Sequence, residues 1–201
     1  TLCAFRDELL KNLACVSFES VKETALDAVI VEEDTGVNPE LFILDGDEID
    51  LGDITVKAME TKGHTDCSMS YAFEPVKLLF ASESTGIIEG KNFVHTPFLK
   101  DCNDAIASRE KCKAYDPEYI SLPHFGMIPK DYIETYWKRL EEETDIKIDF
   151  IRKMKEEGLD DEAMLDRYCD KYWDPDMEEV QPKDAFLINS RAIIKAFLKA
   201  L

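Results

Sequence analysis

The chain reads as a mixed α/β protein, with a strand-rich segment over roughly residues 41–128 followed by a helical C-terminal region over 129–201. Three observations predict this. Apolar and polar residues alternate with a period of two from Ile49 through Phe73, the pattern of half-buried strands. One helix-length segment then separates that run from a further short apolar strand, Tyr119–Leu122. Beyond Gly126 the apolar residues recur three and four positions apart, which puts them on one face of successive helices.

Taken in order, Leu2, Phe5, Leu9, Leu10 and Leu13, and then Val21, Ala25, Leu26 and Val29, predict two amphipathic helices. The chain turns at Val37-Asn38-Pro39, and Leu41–Leu44 reads as a short buried strand closed by Asp45-Gly46-Asp47. Residues 48–61 form a hairpin reversed at Gly52-Asp53, and its second strand ends at Thr61. Gly63 permits the break, and His64 stands just beyond the strand end. Met69–Phe73 descends, Glu74-Pro75 turns, and Val76–Ala81 climbs back, so Ser82-Glu83-Ser84 returns to the edge that carries His64. Gly86 and Gly90 mark a loop through Phe93, His95, Pro97 and Phe98, after which Asp101 or Asn103 caps a helix ending near Ala114. A crossover delivers Tyr119–Leu122 parallel to the preceding strand, and Pro123-His124-Phe125-Gly126 ends it at the same edge. A long helix through Tyr136, Leu140, Ile151 and Met154 closes at Gly158. Asp160 starts a shorter one through Met164 and Tyr168, and a last helix follows Pro182. Without repeats or a low-complexity linker, residues 1–201 are expected to pack as a single domain.

At 201 residues and 45% hydrophobic composition the chain can bury a core. No apolar run reaches the roughly 18 residues of a membrane span, and Thr1–Arg6 lacks the layout of a signal peptide. The first residue is not Met and no strand precedes the opening helix, so the sequence is expected to start partway into a longer protein. The formal charge of −19 disfavours nucleic-acid partners, whose phosphates are bound by Lys and Arg. Glu141-Glu142-Glu143 and Asp160-Asp161-Glu162 fit solvated helix faces and starts. Six scattered cysteines without a C-x-x-C pair indicate reduced thiols and a cytoplasmic setting, with Cys67 as filler at a turn.

Of the three histidines, His64 and His124 each follow a strand end after a Gly or a Pro, and Glu83 is brought to the same edge. Two imidazoles and a carboxylate suit Zn²⁺, Fe or Mn. The competing reading is that polar residues at strand ends merely cap and hydrate a sheet edge. Ser68, Asp66 or backbone carbonyls are the candidates to hold the free imidazole nitrogens.

Five stretches occur together in order: Gly46-Asp47-Glu48-Ile49 to Gly52, Thr61-Lys62-Gly63-His64-Thr65, Leu78 to Glu83, Ser108 to Asp116, and Leu122-Pro123-His124-Phe125-Gly126. Over residues 41–128 they resemble the later part of a metallo-β-lactamase-fold hydrolase. The resemblance implies an αββα sandwich, here lacking its N-terminal part, with one or two divalent ions, most often zinc, at its edge. His64 would take the third-histidine role, Glu83 that of the bridging carboxylate and His124 that of the last histidine. His95, Phe93 and Phe98 would lie where such enzymes line the substrate pocket, while no catalytic residue is assigned. Two departures stand out: the upstream H-x-H-x-D-H signature is absent, and Glu83 replaces the usual Asp. The implied function is hydrolysis of a small ester, thioester, lactone or phosphoester by a metal-activated water, in the style of glyoxalase II-like enzymes. The alternative is a non-catalytic remnant or interaction module with an incomplete metal site. The expected partners are a small-molecule substrate, no nucleic acid and no membrane. An uncovered sheet face would also favour a homo-oligomer or pairing with a missing N-terminal segment.

Overall fold

The computed structural model describes residues 43–89, 93–128, 130–175, 178 and 181–201. The two expected N-terminal helices, the turn at Val37–Pro39 and residues Leu41 and Phe42 lie outside the described residues. Ile43 and Leu44 are not in a strand, and Leu44 is exposed, which corrects the buried strand expected there.

Among the described residues a six-stranded sheet has the order β1-β2-β3-β4-β7-β8, where β1 is Glu48–Asp50, β2 Thr55–Glu60, β3 Met69–Glu74, β4 Leu78–Phe80, β7 Tyr119–Leu122 and β8 Gly126–Ile128. Neighbours are antiparallel except β4 and β7, which run parallel with Leu78 opposite Tyr119. That parallel pair needs a crossover, and helix α1 (Cys102–Ala114) lies within it. Asp101 caps α1 by accepting from the backbone N–H groups of Asn103 and Asp104. After β8 come α2 (Ile133–Glu156), α3 (Asp161–Tyr172) and α4 (Lys183–Leu198), with Asp160 capping α3 through the Ala163 N–H.

Successive strand residues point to opposite faces, and here both faces are apolar. Met59, Ala72, Leu79, Ile120, Leu122 and Ile128 join a core completed by Cys102, Ala105 and Cys112 of α1 and by residues of all three C-terminal helices. Val56, Phe73 and Leu78 form a separate cluster on the other face, backed by Ile49, Tyr71 and Phe80. On the helix side the residues of β3 are small, Ser70 and Ala72, which lets the main core approach the sheet closely. Leu140 and Met154 of α2 are fully buried there, and truncating either to Ala costs about 2–5 kcal/mol. No described helix is long and apolar enough to cross a membrane.

Three elements differ from expectation. The loop through 86–98 contains a hairpin, β5 (Ile87–Glu89) with β6 (Phe93–His95). The climb from Val76 is shorter, since Val76 is exposed and only Leu78–Phe80 pairs. Gly126 does not end the sheet: it opens β8, which folds back on β7.

Candidate metal centre

The rim where β2, β3 and β4 end is tied by three hydroxyls. Thr61 Oγ1 is 2.9 Å from both Ser70 Oγ and Ser82 Oγ, and the Ser82 N–H donates to Ser70 Oγ. Thr61 and Ser70 are fully buried, so these bonds have no water to replace them. From this knot the chain passes through Gly63, whose φ of +130° suits glycine and whose Cβ, were there one, would lie 2.5 Å from Ala105 Cβ. The close approach presses the His64 loop onto α1, where Lys100 and Asp101 N–H groups donate to the Gly63 carbonyl and Ser108 Oγ donates to that of Lys62.

His64 is thereby fixed at three points. Its backbone N–H donates to Ser84 Oγ at 2.9 Å, its Nδ1 donates to the Pro97 carbonyl at 2.5 Å, and its Nε2 lies 2.5 Å from Glu83 Oε2. The other carboxylate oxygen, Glu83 Oε1, lies 2.8 Å from His124 Nε2. His64, Glu83 and His124, distant in sequence, therefore meet at one rim. Glu83 sits in a short 3-10 turn, Glu83–Thr85, held from behind by the Tyr136 hydroxyl donating to the Thr85 carbonyl. His124 is the outermost member, its side chain 68% exposed against 18% for His64 and 24% for Glu83. Its φ of +63° places it in the left-handed region, where few non-glycine residues sit.

The charges reinforce the contact. The hydrogen bond from His64 holds the Glu83 carboxyl below its usual range against the opposing effect of burial, with His124 adding to the same direction. Burial alone would lower His64, but the Glu83 carboxylate and the Pro97 carbonyl outweigh it and raise the imidazole above its ordinary value.

Of the groups expected to orient the imidazoles, a backbone carbonyl, that of Pro97, does so for His64. Asp66 pairs instead with Lys100 at 3.0 Å, and Ser68 bonds Thr65. Ser84 and Pro97 carried no sequence signal beyond their nearness to Glu83 and His95. His95 lies on β6, partly buried, and burial, aided by the Lys147 and His64 charges, holds its imidazole well below the ordinary value. Phe98 is 1% exposed, with its ring stacked on that of Phe197. The backbone of Phe93 in β6 pairs with that of Glu89 in β5. Cys67 Sγ lies 3.6 Å from Thr65 Oγ1. Burial pushes the Cys102 and Cys112 thiols up to about 12, which leaves both protonated and poor metal ligands.

Two imidazole Nε2 atoms and one carboxylate match the His₂Glu set of catalytic zinc sites and the two-histidine, one-carboxylate set of non-haem iron, both of which leave positions open. The Nδ1–H bond to Pro97 fits this use, because it fixes the tautomer that presents the Nε2 lone pair. Among the described residues no group of three or more His, Cys, Asp or Glu side chains is arranged to hold a metal ion, and both histidines meet the Glu83 carboxylate directly.

The sheet, its covering helices and the donor set at its rim define a mixed α/β protein with two imidazoles and a carboxylate gathered at one sheet edge. The chain belongs to the metallo-beta-lactamase superfamily, whose family model matches residues 12–124. A metallo-beta-lactamase family protein from Thermus thermophilus is similar at 15% identity with a TM-score of 0.54, covering 98% of this chain and 59% of that one, which supports the shared fold. An archaeal metallo-beta-lactamase superfamily protein from Sulfolobus tokodaii is 22% identical, with a TM-score of 0.43 over 49% of this chain and 38% of that one. A flavo di-iron protein from Thermotoga maritima is 15% identical, with a TM-score of 0.42 over 58% and 34%. The chain thus spans less than two thirds of the length of each. The comparison with curated proteins found no match.

Proposed function

We propose that His64, Glu83 and His124 hold a divalent metal ion, zinc first and iron or manganese next, and that the protein hydrolyses a small ester, thioester, lactone or phosphoester. The observation that supports this best is the meeting of both Nε2 atoms on the two oxygens of Glu83 while Pro97 fixes the His64 ring. When bound, such an ion supplies an acidified water as nucleophile and polarises the carbonyl or phosphoryl oxygen under attack. The chain's own part is positional. The Thr61, Ser70 and Ser82 hydroxyls hold the strand ends, Ser84 and Pro97 hold His64, and Tyr136 backs the turn that carries Glu83.

A second reading, a non-catalytic module with an incomplete site, is favoured by one observation: the acid and the two imidazoles bond one another directly. Adding Zn²⁺, Mn²⁺ or Fe²⁺ to metal-stripped intact protein separates the readings. The hydrolase reading expects about one equivalent of ion, lost in His64→Ala and Glu83→Ala, and metal-dependent cleavage of a generic ester, thioester or phosphodiester. Uptake below about a tenth of an equivalent, with no cleavage, would support the module instead.

A further inference from the structure

The strand that supplies neither imidazole nor carboxylate is the one that joins the two halves of the rim. β3 lies between β2, which leads into His64, and β4, which leads into Glu83. Its Ser70 is fully buried on the helix side. The Ser70 hydroxyl is 2.9 Å from Thr61 Oγ1 on one flank and accepts from the Ser82 N–H at 2.9 Å on the other, while the Cys112 thiol of α1 meets it from above the sheet. A hydroxyl has one proton and two lone pairs, so these three partners use its whole capacity. The bond to Ser82 is also where β4 leaves the sheet. The β3–β4 ladder runs from the Phe73–Leu78 pair to the Tyr71–Phe80 pair, and its next step would set Ser82 against Met69. The Ser82 N–H turns to a side chain instead, and the chain departs into the Glu83–Thr85 turn.

We infer that Ser70 is a positioning residue whose hydroxyl sets how far His64 stands from Glu83. This rests on the proposed reading of those two residues as ligands, and it assigns a role to a residue that touches neither. Both arms are short and held. Glu83 directly follows Ser82, and Thr61, three residues before His64, is pinned by its N–H on the Ser68 carbonyl while Gly63 is pressed on Ala105. A direct Thr61–Ser82 hydroxyl bond closes the triangle, but only Ser70 reaches the Ser82 backbone, and moving that backbone carries Glu83 with it. Thr61 and Ser70 are sealed from water, so a lost partner there is not replaced and the strand ends must shift to find another. A displacement of about 1 Å is enough to spoil the geometry of such a site.

Two readouts test this, one of them without metal. In the metal-free protein, solvent exchange of the His64 Nδ1 proton, which the Pro97 carbonyl accepts, is followed by NMR. It should quicken about tenfold in Ser70→Ala and stay within about twofold in Thr144→Val, which removes a similarly buried hydroxyl whose bond lies wholly within α2. With metal, the calorimetric affinity for Zn²⁺ should fall about tenfold in Ser70→Ala and hold in Thr144→Val, and the visible absorption bands of the Co²⁺-loaded Ser70→Ala protein should shift from the native ones. Thr61→Val keeps its shape and cuts the same link from the His64 side. It should move both readouts in the same direction, and it carries the test where Ser70→Ala does not fold. Exchange and affinity in Ser70→Ala that match the native protein, or losses that Thr144→Val shares, would overturn the assignment. Should the native protein take up no ion, the ligand reading fails by itself, and the His64 proton alone decides the role of Ser70.

Discussion

His124 holds the left-handed conformation at φ +63° with an exposed imidazole, so its backbone gains nothing from the side chain it carries. A non-glycine residue in that region costs of the order of 1 kcal/mol, and Asn tolerates it better than His. His124→Asn should therefore leave stability unchanged or raise it by up to about 1 kcal/mol in a denaturant melt, while metal affinity falls at least tenfold by calorimetry. Equal affinity in the variant would remove His124 from the ligand set. The His64–Glu83 contact gives a second prediction, for the metal-free protein. His64 is raised above 6.5, so its contribution is complete below 6.5 and is lost as pH rises through the raised value. Glu83 is held below 4.5, so its contribution is complete above 4.5 and is lost as pH falls through the lowered value. The pair thus stabilises most between these two ordinary values. The Tm difference between the native protein and His64→Gln should be largest there and shrink towards pH 9, and a difference that grows with pH would contradict the pairing.

At the scale of elements, the His64 loop is set by the contact between Gly63 and α1. A Cβ at Gly63 would sit 2.5–2.6 Å from the Cβ, Cα and N of Ala105, and helix backbone cannot step aside as a flexible side chain can. Gly63→Ala should cost about 2–4 kcal/mol by denaturant melting, through overpacking and the positive φ together, and weaken metal uptake in the protein that still folds. A loss under about 0.5 kcal/mol would mean that the loop and α1 are not held together in this way. This hinge was legible in sequence because a glycine at the end of an alternating strand marks a break, and the same alternation exposed β2, β3 and β7. The β5–β6 hairpin was not legible, because three residues per strand on either side of Gly90 give too few alternations to separate a strand from a loop. β8 was hidden for the same reason behind the turn at His124. Phe98 shows a different limit: nothing about an apolar residue next to a proline announces that it stacks on Phe197 of a helix almost a hundred residues away. The rim itself was readable because three strand ends return to one edge, but the Pro97 carbonyl and Ser84 hydroxyl were not, since backbone acceptors and lone serines carry no pattern.

Over the whole molecule, acidic residues outnumber basic ones 43 to 24, and the ion pairs do not absorb the excess. The bidentate Arg191–Glu162 pair, at 2.7 and 2.8 Å, and the Lys113–Glu141 contact lie on the surface, where solvent screens such pairs and leaves them little net effect. The excess negative charge repels itself across a compact body, and that repulsion is relieved on unfolding as charges move apart. Added salt shortens the screening length from about 30 Å at 0.01 M to about 10 Å at 0.1 M, below the span of the molecule but well above the length of an ion pair. Repulsion among many distant carboxylates is thus screened more than attraction within each contact. The Tm of the metal-free protein should rise as sodium chloride goes from about 0.01 to 0.1 M, with most of the gain complete by the upper value. A Tm that falls with salt would show that the surface pairs outweigh the excess charge. In that case Glu162→Gln, which breaks the Arg191 fork, should destabilise the protein at low salt far more than at high salt, and the acidity would have to be read as a set of local contacts instead of a field.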